Sequence, residues 1–181
     1  MKHARRLVFS VLSLLAGCAA VPTEPIATVQ RVDLPRFMGR WYVIASIPTF
    51  IEKDAYGAIE AYELNADGTV ATTFTFHKGS LDGPLKTMKP RGTVRSATNA
   101  TWAMQFIWPF KAEYLIAYVD PQYSVTIVAR NKRDYVWIMA RTPQVSASAY
   151  QELEDRVGSL GYDLSKLRRV PQVVGVPAPP P

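Results

Sequence analysis

Runs of aromatic and β-branched residues recur along the chain with turn-forming residues between them, the pattern of a β-rich domain. In order they cover residues 40–47, 56–64, 69–77, 86–94, 101–107, 113–120, 124–130 and 135–141. Asn65-Ala-Asp-Gly68, Asp120-Pro-Gln-Tyr123 and Asn131-Lys-Arg-Asp134 supply tight connections, and short links make neighbouring strands antiparallel. In the sixth run Tyr114, Ile116 and Tyr118 alternate with Leu115, Ala117 and Val119, so both faces are apolar and both need cover.

After Pro143 the period changes. Tyr150, Leu153, Val157 and Leu160 share one helical stripe, with Ser146 or Ser148 as N-cap and Gly161 as the stop. Eight sequential strands followed by one amphipathic helix predict an all-β fold. The expected form is an eight-stranded antiparallel up-and-down β-barrel with a C-terminal α-helix packed on its wall.

The termini differ from this body. Lys2, Arg5 and Arg6 precede an apolar stretch, and Leu15-Ala16-Gly17-Cys18 closes it with small residues, which reads as a secretory signal over residues 1–17. Residues 18–32 contain Pro22 and Pro25 and no sustained periodicity, predicting a flexible tether, and 174–181 form a Pro-rich tail. The folded domain is then expected over 33–173. Removing the leader's three cations leaves 18 Lys and Arg against 15 Asp and Glu, so the net charge falls from +6 to +3. That argues against a nucleic-acid partner. One cysteine and two histidines exclude an internal disulfide and a Cys-rich zinc site and make other metal centres improbable, so no metal or cofactor is expected.

Three segments resemble the lipocalins, particularly the bacterial outer-membrane lipoprotein lipocalins and apolipoprotein D. Gly39 and Trp41 match the Gly-x-Trp that opens the first strand, Asp120 matches the turn after the sixth, and Arg141 matches the arginine of the last. Val119 departs from the threonine many members carry there. The resemblance implies that Trp41 and Arg141 plug the narrow end by a cation–π contact. Leu15–Cys18 resembles a bacterial lipobox, implying acylation of Cys18, and Ala19 in place of aspartate implies the outer membrane, facing the periplasm. Several acyl chains hold a protein on a membrane stably.

A barrel of this width either fills with side chains or holds one small ligand. With Trp41 inward, alternation sends Val43 and Ala45 inward, and Arg141 takes Met139, Trp137 and Tyr135 with it. Trp137, Tyr114, Ile116, Tyr118, Met139, Phe74, Phe76, Met104, Phe106 and Tyr56 are the candidate ligand-binding wall, the parity of Phe74/Phe76 and Met104/Phe106 being open to a bulge. Such a wall suits an acyl chain with a polar head near the mouth. The link 48–55 is expected at the mouth, with Lys53 either solvated or meeting a carboxylate or phosphate. Phe106-Ile-Trp-Pro-Phe110 reads as packing on the outer wall; a membrane-facing or self-associating patch, giving a homodimer, is the alternative.

The expected function is a membrane-anchored protein that binds, stores or transports fatty acids, lysophospholipids or similar amphiphiles in the envelope; a lipoprotein with a filled barrel and no ligand is the alternative. Enzymatic action is not expected. Some lipocalins are isomerases with a thiol in the barrel, but Cys18 precedes the domain, and a lone His77 without a Gly-x-Ser-x-Gly turn makes no serine triad.

Overall fold

The computed structural model describes residues 24–173. Cys18, the 1–17 leader and the 174–181 tail lie outside them. Strands β1 (Gly39–Ile47), β2 (Ala55–Leu64), β3 (Thr69–Lys78), β4 (Leu85–Met88), β5 (Arg91–Val94), β6 (Thr101–Ile107), β7 (Phe110–Val119), β8 (Val125–Ala129) and β9 (Val136–Ala140) build one antiparallel sheet. β1 pairs with β9, which closes it into a barrel with eight strand positions. β4 and β5 share the fourth position, because both pair with β3.

The single run expected over 86–94 is therefore two strands, interrupted at Lys89-Pro90. Proline has no N–H to give to a ladder. The interruption shapes the wall. β5 pairs with β6 only as far as Gln105, and β4 pairs with β3 alone, so Phe106 and Ile107 leave the sheet without a strand beside them on that side.

Helix α1 (Leu34–Phe37), capped by the Asp33 side chain, crosses one end of the barrel. Helix α2 (Ala147–Ser159) buries Tyr150, Leu153 and Val157 and begins at Ser146, whose Oγ accepts from the Ala149 N–H at 3.1 Å. Of the two candidate caps it is thus Ser146 that closes the first turn. A short strand β10 (Arg168–Arg169) lies along β1.

Two apolar layers follow from the two-sided strands. The interior holds Trp41, Val43, Phe74, Met104, Ile116 and Trp137 among others, while Ile44, Ala45, Leu115, Ile127, Ile138 and Ala140 lie outside under Leu153 and Val157 of α2. The pairings contain four register shifts, one of them between Met104 and Ile107, and simple alternation fails at the other three. The shift between Val43 and Ala45 turns Ala45 outward, correcting its inward assignment. The shift between Ile116 and Tyr118 does the same to Tyr118, which packs outside with the Arg156 guanidinium 4.2 Å from its ring centroid. The third, between Tyr56 and Ile59, contains Gly57 at φ +56°, a conformation that glycine takes without strain. Ala55 and Ala58 face the interior, whereas Tyr56 pairs with the outward His77 and is not part of the wall.

Residues 24–32 differ from the tether expected over 18–32. Ile26 and Val32 are buried, and the Val29 and Val32 N–H groups donate to Ile116 O and Thr98 O. This stretch runs along the barrel from its open end to its closed end.

Candidate functional site

The two ends of the barrel are built from different chemistry. At the closed end the Trp41 ring is fully buried, and the Arg141 guanidinium sits 3.7 Å from its centroid. The same guanidinium donates to the carbonyls of Arg36, Phe37, Met38, Arg40 and Tyr123, at 2.7 to 3.2 Å. It thereby satisfies carbonyls that the short α1 leaves without helical partners. Burial lowers its pKa to about 10, so it stays charged at neutral pH. Trp41 Nε1 donates to Phe37 O at 2.8 Å. Gly39, at φ +86°, passes under this arginine; a Cβ there would stand 3.4 Å from Arg141 Nη1. Asp120 takes the Ser124 and Val125 N–H bonds and the Ser124 hydroxyl, and these donors hold its carboxyl below the usual range.

Above the plug the interior is filled. Phe37, Trp41, Tyr62, Trp102 and Tyr114 stack edge and face, with Trp102 and Tyr114 5.1 Å apart and nearly parallel. Tyr114, Ile116 and Met139 belong to this packed lower interior. They face inward as expected, yet none of them lines the cavity above.

That cavity has a volume of about 320 Å³, near the lower end of the roughly 300–1,000 Å³ typical of small-molecule pockets. Phe74, Met88, Met104 and Trp137 form its walls, and Phe50, Ile51, Phe106 and Phe110 its rim. Of the predicted wall residues, Trp137, Phe74, Met104 and Phe106 line it, and Phe76 lies in an adjoining crevice with Phe50, Lys53 and Lys86. The 48–55 link stands at the mouth as predicted. His77 turns away, its Nδ1 bonded to Gly83 O at 2.7 Å.

Two acids were missed by sequence reasoning. Glu52 lines the cavity, its carboxylate accepting from Trp137 Nε1 at 2.9 Å and the Thr49 N–H at 3.1 Å. Glu60 is buried between its cross-strand neighbours Trp41 and Phe74, and therefore points inward beneath the cavity floor. It accepts from the Tyr62 hydroxyl, which in turn contacts the Tyr114 hydroxyl at 2.6 Å. Burial, reinforced by the nearby Glu52 charge, raises the Glu60 pKa to about 8, so this carboxyl is mostly protonated at pH 7. Burial and Glu60 push Tyr114 well above 10. The available signal was parity: Glu60 alternates onto the face of Ala58 and Tyr62, and the pairing from Ile59 to Leu64 is regular. At the rim, Lys111 and Arg130 are the cations, Arg130 being paired with Asp134 at 3.1 Å.

The arrangement offers burial and hydrogen bonding to a small guest. Its relatives are consistent in fold and in name. The chain is 32% identical over 156 residues to temperature-induced lipocalin-1 of Arabidopsis thaliana, covering 82% of this chain and 84% of the relative. It is 29% identical over 164 residues to the outer membrane lipoprotein Blc of Escherichia coli K12, covering 88% and 90%. Insecticyanin from the tobacco hornworm Manduca sexta superposes with a TM-score of 0.66 at 15% identity, covering 83% of this chain and 86% of that one. The family model for a lipocalin-like domain matches residues 32–172, and with the closed barrel, the Trp41–Arg141 plug and the outer helix in place, the chain belongs to the lipocalin family.

Proposed function

We propose that this protein binds a single-chain amphiphile, a fatty acid or lysophospholipid, with the alkyl chain in the cavity and the polar head at the rim. The observation that carries it is the half-filled barrel, apolar around the cavity and open at one end. A wholly filled barrel would have no use for the exposed mouth. Each methylene taken from water contributes about 0.8 kcal/mol, so affinity accumulates along a chain without one decisive contact. Polarity sets the direction of entry. The Glu52 carboxylate repels an anionic head from the depth of the cavity, whereas Lys111 and Arg130 attract it at the rim.

Cys18, acylated after removal of the leader, serves as the membrane anchor on the periplasmic face, and the similarity to the outer membrane lipoprotein Blc supports the choice of the outer membrane. No helix among the described residues is long and apolar enough to cross a bilayer. The mechanism is reversible burial without bond chemistry.

The test is titration of a fluorescent fatty acid into the leaderless chain. Saturable one-to-one binding is expected, weakened at least tenfold in Ala112→Phe, which fills the cavity from its wall, and in Trp137→Ala. Flat titrations with fatty acids and lysophospholipids alike would sink the reading. For the anchor, Cys18→Ser should leave the domain folded and make it extractable from the membrane fraction by a high-salt wash that does not release the acylated parent.

A further inference from the structure

We propose that the open end of the barrel docks onto an anionic bilayer surface, with the cavity mouth facing the lipid. The first observation is exposure. Trp108 is 83% exposed, Phe110 and Phe50 75% each, and Leu85 57%, and all four stand at the open end, on the β6–β7 turn, the β1–β2 link and the start of β4. The outer-wall packing expected for Phe106–Phe110 is therefore not what the structure shows. Large apolar side chains gathered on one rim mark a contact surface, and indole rings favour the headgroup level of a membrane.

The second observation is charge. Lys53, Lys78, Lys86, Lys111 and Lys132 are exposed at this end, against the exposed acids Glu24, Asp54, Asp82 and Asp163, the last of which is paired with Lys166. A basic rim around an apolar tip complements anionic headgroups. It disfavours a second copy as the occupant, because a two-fold interface would set the same lysines against themselves.

The third observation is the path of the chain. Asn131 Oδ1 accepts from the Ile26 N–H, and Arg133 Nη2 donates to Glu24 O, both at 2.7 Å, which fastens residues 24–26 to the β8–β9 connection at the open end. Cys18 precedes Glu24 by six residues, a reach of about 20 Å when fully extended. An acyl group on Cys18 thus holds the mouth, and not the plugged end, beside the bilayer. This last step rests on the anchor proposed above; the apolar tip and the lysines stand without it. The gap in the wall beside Phe106 and Ile107 then gives an alkyl chain a route from lipid to cavity that does not cross water.

Cosedimentation of the Cys18→Ser chain with vesicles of phosphatidylethanolamine and phosphatidylglycerol removes the anchor from the question. Binding is expected, weakening as salt rises and falling at least tenfold on vesicles of phosphatidylcholine alone. Trp108→Ser with Leu85→Ser, two residues outside the cavity lining, should lower vesicle binding tenfold or more while fatty-acid titration is unchanged. Ala112→Phe should show the reverse, so failure of the pocket and failure of the docking surface are distinguishable. Absence of vesicle binding by the Cys18→Ser chain would overturn the proposal. So would a solution dimer that the double substitution dissociates without any effect on vesicles.

Discussion

Glu60 carries the sharpest pH dependence at the scale of a residue. Its carboxyl releases a proton near pH 8 in the folded chain and near 4.5 in its ordinary state. Between those values the folded state holds more protons than the unfolded state, so stability falls as pH rises from about 4.5 to 8 and is level beyond. A shift of this size corresponds to roughly 5 kcal/mol at most. Glu60→Gln keeps an acceptor for the Tyr62 hydroxyl and removes the titration. Its melting temperature should exceed that of the parent at pH 8, by a margin that narrows towards pH 5; the same margin at both pH values would contradict this account. Arg141 is the contrasting case, because its charge is not titrated but spread over five backbone carbonyls, which explains why an arginine in particular serves there.

At the scale of an element, α2 and the bulges decide what faces what. Leu153 is buried between α2 and the outer wall, so Leu153→Ala should cost about 2–5 kcal/mol in chemical denaturation. Because that layer lies outside the barrel, fatty-acid affinity of the folded variant should be unchanged, and a parallel loss of binding would show that the two layers are coupled. The helix stripe was legible from sequence because Tyr150, Leu153 and Val157 recur at helical spacing and Ser146 stands ready to cap. Inward parity was legible only between bulges. Trp41, Val43, Phe74, Met104 and Trp137 followed alternation, but Ala45, Tyr56 and Tyr118 lie at register shifts, where one extra residue reverses every side chain beyond it. Those shifts depend on pairing with a partner strand and leave no period in the strand itself.

For the whole molecule, ligand binding is a term in stability. A guest that binds only the folded barrel at a hundredfold excess over its Kd adds about 2.7 kcal/mol, so saturating lysophospholipid should raise the melting temperature of the parent chain and leave Ala112→Phe unmoved. An equal rise in both would place the guest outside the cavity. By itself the sequence determined the class of the fold. Strand and helix periods, the turns between them and the Gly39, Trp41, Asp120 and Arg141 pattern are local, and local chemistry suffices to write them. The division of the barrel into a filled lower half and an open upper half was decided only by the tertiary structure. Tyr114, Ile116 and Met139 share the inward face with Trp137 and Phe74, and which of them meets empty space depends on how far each lies from a plug assembled by α1, β1 and β9. The same holds for the rim, where residues 24–26, the β6–β7 turn and β4 converge from distant parts of the chain, and closure of the barrel alone brings them to one end.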